Sequence, residues 1–265
     1  MGGIIAHSTQ SFGYHPQRQC APLLRTISTR SDHLAAAWRG SRIRSRFPQP
    51  HHRPMTTPEH TLVGVHLALA LGWQRSIGWP AVALAGVASN VPDWDGLPML
   101  VDMQAFEAGH RVWGHNLLAI AIASGFLAWS QVRWRWCDRI AAQVWRMVDR
   151  TAVPGSQGPT GKLSGACALG IAAAAQLVHL PCDLVVSGGH GLSDWPIRPL
   201  WPFSEVAFVF PLIPWGDVGP TVILMAGAIW AAKHPAQVTA VSAVTLAFLG
   251  VYLVARGWAR GMLPI

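Results

Sequence analysis

From residue 62 to residue 254, apolar runs alternate with short polar or Pro/Gly-rich breaks. The runs 62–73 and 81–88 are each shorter than the about 20 residues a helix needs to cross a bilayer. Joined by the turn 75–80, they read as a helical hairpin that dips into a membrane. Residues 116–132 read as a span closed by Trp129, and 163–186 as a second, whose Ala and Gly let helices approach closely. Residues 218–232 and 238–254 form a last pair around the turn Lys233-His234-Pro235. Residues 133–150 break the pattern. There Trp134, Cys137, Ile140, Ala141, Val144 and Val148 recur at three-to-four spacing with Arg between them, as in an amphipathic helix lying at the interface. Residues 187–216, dense in Gly, Pro and Trp, read as an ordered surface loop. The expected fold class is all-α: a polytopic membrane bundle of five to six apolar helices, the first two a short hairpin, plus one interfacial helix.

Composition supports a membrane setting. Only 12% of residues are charged, against roughly 25% in soluble domains. Fourteen Trp accompany two Tyr, and amphipathic rings favour the headgroup level. The net charge of +8 is local. Residues 1–54 hold eight Arg and one acid, Asp32, so +7 resides there and +1 in the remainder. This basic segment has no sustained apolar period and is expected to be a disordered tail, an Arg-rich targeting peptide, or sequence upstream of the natural start at Met55. The domain is then 55–265. The segment lacks a recognisable nucleic-acid-binding fold, so no nucleic-acid partner is expected. Cys20, Cys137, Cys167 and Cys182 form no CxxC pair, which argues against a thiolate metal site or a disulfide framework.

Ionisable residues in or beside apolar spans are expensive and therefore candidates for function. They fall in four clusters. His60 opens the first apolar run; His66, six residues on, points to a different side of the helix and is not expected to share an ion with it. Asp93-Trp94-Asp95 sits between Pro92 and Gly96 in an irregular turn, where adjacent carboxylates repel unless a cation lies between them. His110-Arg-Val-Trp-Gly-His115 precedes the next span, and Arg111 is placed to clamp an anionic group. His179 and Asp183 are four residues apart, hence on one helix face, with Pro181 between them to bend it. If the first two runs form a hairpin, successive crossings return all four clusters to one membrane face, as a metal site requires.

These residues resemble the YdjM-like family of bacterial membrane-bound proteins, predicted to be metal-dependent hydrolases. The matching features are His60, Asp93-Trp94-Asp95, His110-Arg111 with His115, His179 with Asp183, and the tail ending Trp201-Pro202-Phe203-Ser204. The chain departs from the family pattern at Gly114-His115-Asn116, where members often carry Thr-His-Ser. A weaker similarity to zinc-dependent phospholipase C extends the order of ligands to His190, but no HxxxE follows. The resemblance implies an integral protein of the bacterial inner membrane.

The expected site holds one or two divalent ions, Zn foremost with Mn or Mg as alternatives, through His60, Asp93, Asp95, His110, His115, His179 and Asp183. Seven ligands exceed one tetrahedral zinc, so either two metals bind or some residues support the ligands. Asp95 or Asp183 is expected to serve as general base, and Arg111 and Arg198 to hold a phosphate. Location at the interface points to a lipid or phosphodiester substrate. The alternative function is a transporter or metal-handling protein built on the same His/Asp cluster. Transporter sites lie near the bilayer midplane between repeats, whereas these ligands sit at span ends and no repeat is visible.

Overall fold

A computed structural model describes residues 57–148, 163–187 and 194–263. The basic segment 1–54 and His190 lie outside these residues. Helix α1 (Thr57–Ala70) carries Glu59 in its first turn, where the helix dipole favours an acid. It ends near Gly72, whose left-handed φ of 69° favours a residue without a Cβ. A single turn, α2 (Trp73–Ser76), leads to α3 (Trp79–Ala88), which has Pro80 in its first turn, where a missing N–H costs nothing. α1 and α3 pack backbone to backbone: a Cβ on Gly64 would lie 2.4 Å from the Ala85 carbonyl oxygen.

Residues Val91–Leu100 form a 3-10 stretch rather than an α-helix. Pro92 and Pro98 remove two amide donors, which limits regular helical bonding there. Asp102 caps α4 (Met103–Gly109) by accepting from the Gln104 amide. Asn116 caps α5 (Leu117–Trp134) by accepting from the Ala119 amide at 2.8 Å. Arg135 then adopts a left-handed φ of 51° and separates α5 from α6 (Trp136–Val148). The Gln131 amide group bridges this corner, accepting from the Cys137 N–H at 2.9 Å and donating to Asp138 at 2.6 Å. Helix α7 (Gly165–Leu184) is followed by β1 (Val186–Ser187), which pairs in parallel with β2 (Ile213–Pro214). Helices α8 (Gly219–Lys233) and α9 (Val238–Ala259) complete the described chain.

α7 packs between α3 and α5, while α9 packs against α1 and α8. The larger core is built mostly of small residues, among them Ala68, Ala81, Ala85, Ala88, Ala168, Ala172 and Ala175, which bring helices close enough for van der Waals contact to hold them. One polar pair enters this packing where Gln176 donates to Ser124 at 2.8 Å between α7 and α5.

The helical class foreseen from the sequence holds, and strand is confined among the described residues to one two-residue pair and an isolated bridge. The expected five to six apolar helices and the membrane hairpin are not all confirmed as membrane segments. Among the described residues, three helices are long and apolar enough to cross a membrane: Leu117–Trp134, Gly165–Leu184 and the segment Pro235–Ala259. α8, with 15 residues, reaches about 22 Å at 1.5 Å per residue, short of a roughly 30 Å hydrocarbon layer. The expected interfacial helix begins later than its sequence pattern, because α5 runs on through Trp134 before the Arg135 corner.

Candidate metal centre

The site lies where four pieces of chain end. His60 stands on the first turn of α1, Asp93 and Asp95 on the 3-10 stretch, His115 just before the cap of α5, and His179 and Asp183 on the last turns of α7. Asp95, His115, His179, His60 and Asp183 are all buried, and Asp93 is the partly open member at 27% side-chain exposure.

One donor atom from each of His60, Asp93, His179 and Asp183 comes within 4.8 Å of the others. His60 Nε2 is 3.2 Å from Asp183 Oδ1 and 3.7 Å from Asp93 Oδ2. His179 Nε2 is 3.4 Å from Asp93 Oδ1 and 3.5 Å from Asp183 Oδ2. His115 Nε2 joins them, 2.9 Å from Asp183 Oδ2 and 3.6 Å from Asp93 Oδ1. Ligands held about 2.0–2.1 Å from a tetrahedral zinc stand about 3.3 Å apart. The separations here bracket that figure.

Tautomers make the case sharper. His179 Nδ1 is 2.7 Å from the Ser89 carbonyl oxygen, which can only accept, so Nδ1 carries the proton. His115 Nδ1 is 3.1 Å from the Asp95 carboxylate and is protonated for the same reason. Both imidazoles, when neutral, therefore present a bare Nε2. Those two nitrogens are 3.0 Å apart. Two lone pairs beside two carboxylates in a buried pocket repel unless a cation lies among them. Without a metal the cation is a proton: burial alone would lower His115, but hydrogen bonds to Asp183, Asp93 and Asp95 hold its pKa well above the usual histidine value. The donor set of three imidazoles and two carboxylates suits zinc, and the carboxylates also admit Mn or Mg.

Of the seven expected ligands, Asp95 and His110 stand behind the cluster. Asp95 Oδ2 accepts from the Gly114 amide at 2.8 Å and from His115, and its Oδ1 faces His110 Nδ1 at 3.3 Å. Burial pushes its pKa up, but the bonds from His110 and His115 and the Gly114 amide outweigh this and bring it to about 2. A carboxylate so fully engaged orients His115 and is poorly placed to take protons as a general base. His110 is stacked on Phe106 at 4.6 Å and meets the edge of Trp195 at 5.1 Å. Depth separates Asp95 and His110 from the other five candidates.

Arg111 departs from its expected role. It is 3% exposed, donates to the Val186 carbonyl at 3.0 Å, and sets Nε 3.1 Å from Asp183 Oδ2. Its guanidinium is committed to the protein and balances Asp183, so the anion-clamp role does not match its contacts. Its φ of 62° is left-handed, a strained state for a residue with a Cβ, and it turns the chain between His110 and His115. Arg198 pairs with Glu205 at 3.0 Å. His66 lies apart, as expected from its helical phase: it bonds the Leu224 carbonyl and Ser242, each at 3.1 Å.

Three residues that sequence reasoning left without a role complete the site. Ser89 orients His179 through its carbonyl and donates its hydroxyl to the His60 carbonyl at 2.7 Å, tying α3 to α1. Asn116 donates to the Val112 and Trp113 carbonyls, both at 2.9 Å, while capping α5, and so shapes the loop carrying His115. Gly114 explains the departure from the family pattern in this chain: a Cβ there would lie 1.9 Å from the Pro92 carbonyl oxygen. A polar residue before an apolar run was a visible sign for Asn116; no sequence signal marked Ser89.

No curated protein and no solved structure matches the chain. A family model, described as YdjM inner membrane protein, matches residues 55–259, which contain every ligand candidate assembled above and all three membrane-length helices. The chain belongs to the YdjM inner membrane protein family and is an integral protein of the inner membrane.

Proposed function

We propose that the chain is a membrane-bound, metal-dependent hydrolase. The observation that carries this reading is the pair of Nε2 atoms 3.0 Å apart, each with its Nδ1 proton already committed. His60, Asp93, His179 and Asp183 would hold the ion, with His115 as a fifth donor oriented by Asp95. A divalent metal there would polarise the scissile group and lower the pKa of a bound water towards about 7. The chain's own contribution is to position and to exclude water. Ser89 and Asp95 fix the two imidazoles, and Arg111 compensates Asp183. Asp93, at 27% side-chain exposure the most open of these ligands, leaves the ion's face on that side the most accessible to water and substrate. Asp183, held between His60, His115 and Arg111, serves as ligand.

The ligands stand at the ends of α5 and α7 rather than at mid-depth, which favours an enzyme over a transporter. The short helices α1, α3 and α8 fit segments that enter the membrane without crossing it, supporting the site from one side. The test is the metal content of detergent-purified protein by inductively coupled plasma mass spectrometry, beside His179→Ala/Asp183→Ala. One or two Zn or Mn per chain, lost in the variant, is the expected result. Absence of metal from both proteins under chelator-free conditions would overturn the proposal.

A further inference from the structure

The face bearing the candidate metal centre ends in two segments whose large apolar side chains find no cover among the described residues. The 3-10 stretch turns Asp95 inward, while Leu97, Leu100 and Val101 are 62%, 79% and 93% exposed. The second segment, residues 200–210, carries Phe203 at 84% exposure, with Phe208 and Phe210 about half exposed. Soluble surfaces rarely gather such residues into one region, and where they do the region meets a partner or a membrane.

Attachment to the spans says which. The Leu117 amide, first residue of α5, donates to the Pro199 carbonyl at 2.9 Å, so the second segment is anchored at the end of a membrane-length helix. An antiparallel bridge between Ile197 and Phe208 holds its two arms together. Trp94 from the first segment stacks on Trp113, four residues before α5, with ring centres 6.4 Å apart and both rings half exposed. Paired indoles at the end of a span mark the headgroup level. The charged groups beside these side chains have partners: Arg198 pairs with Glu205, itself 73% exposed, Asp102 caps α4, and Arg260 donates to the Pro211 carbonyl at 3.2 Å. Cover by apolar burial, not by charge attraction, is what this surface offers.

We propose that the side chains of Leu97, Leu100, Val101, Phe203, Phe208 and Phe210 are immersed in the boundary layer of the leaflet in which α5 begins and α7 ends, with Glu205 and Arg198 at the headgroup level. The metal cluster, whose open ligand Asp93 adjoins Trp94, then faces lipid headgroups, and ligands reach it along the membrane surface. The immersion stands on the exposed side chains and their anchorage; only its bearing on substrate rests on the hydrolase reading.

The test uses Val101→Cys and Phe203→Cys in a Cys20→Ser/Cys167→Ser background. Ala236→Cys, in the exposed turn between α8 and α9, is the aqueous control. The full chain is placed in nanodiscs of phosphatidylethanolamine and phosphatidylglycerol and treated with a membrane-impermeant maleimide. Positions 101 and 203 are expected to label at least tenfold more slowly than 236, with all three equal after unfolding in SDS. Equal rates in nanodiscs would overturn the inference. Protection that depends on protein concentration would assign the cover to a second copy and overturn it too. Metal content is measured on the same variants: neither residue touches the cluster, so metal retained with equal labelling refutes immersion alone, and metal absent with protection retained refutes the hydrolase reading alone.

Discussion

Asp95→Asn isolates the proposed division between ligands and their supports. The carboxylate accepts from the Gly114 amide at 2.8 Å, from His115 Nδ1 at 3.1 Å and from His110 Nδ1 at 3.3 Å. Asparagine has nearly the same shape, so packing is kept, but it offers one neutral acceptor oxygen in place of two charged ones. Hydrogen bonds to charged groups contribute about 1.5–3 kcal/mol and neutral ones about 0.5–1.5 kcal/mol. The His115 bond alone therefore weakens by about 1 kcal/mol, and the amide N–H₂ facing one histidine adds a mismatched donor. Loss of such a support typically lowers metal affinity 10- to 100-fold, or about 1.4–2.7 kcal/mol. The assay is competition for Zn against a chelator of known affinity, in detergent at pH 7.5. Stoichiometry should survive while affinity falls by that factor, whereas Asp183→Asn should lose the metal. An affinity within twofold of wild type would refute the reasoning, since His115 would then not need Asp95 to present its Nε2.

Gly114→Ala places a Cβ 1.9 Å from the Pro92 carbonyl oxygen; the expected cost is about 1–3 kcal/mol, read as a lower thermal midpoint together with reduced metal content. Arg111→Gln leaves the buried Asp183 without its cation and is expected to destabilise the metal-free protein by about 3–5 kcal/mol, with a smaller loss when Zn is present, both measured by thermal unfolding. His66→Ala removes bonds to Ser242 and Leu224 in the bundle interior; it should lower stability yet leave metal stoichiometry unchanged, which mass spectrometry checks. At the α5–α6 corner, burial raises the pKa of Asp138, but bonds from Arg135 and Gln131 prevail and hold it below the ordinary carboxylate value. A folded pKa below the unfolded one gives stability that is present above about pH 4 and lost as pH falls through the folded value. Asp138→Asn should therefore flatten that acid limb of unfolding, followed by circular dichroism between pH 3 and 6.

Much of this protein is legible in one dimension because the bilayer imposes a simple rule. Apolar runs such as 116–132 and 163–186 announce α5 and α7, since a buried backbone must bond within its own helix. The four His/Asp clusters stand out for the same reason: charge beside a span is costly, so it is kept only for cause. The i, i+4 spacing of His179 and Asp183 fixes a shared helix face, and the phase of His66 removes it from the site. What a linear pattern does not encode is depth and partner. Nothing in the spacing separates Asp93 from Asp95, two residues apart; only the packing of the 3-10 stretch against the loop at Gly114 turns Asp95 behind His115 and leaves Asp93 at the cluster. Arg111 reads as a free cation until Asp183, 72 positions later, arrives beside it. Ser89 carries no signal, because its role is played by a backbone carbonyl that every residue has. Helix periodicity and hydropathy are local properties that the sequence determines by itself. Which lone pairs meet, and which proton each imidazole keeps, depends on chain segments as far apart as His60 and Asp183, 123 positions in sequence, and only the tertiary structure brings those together.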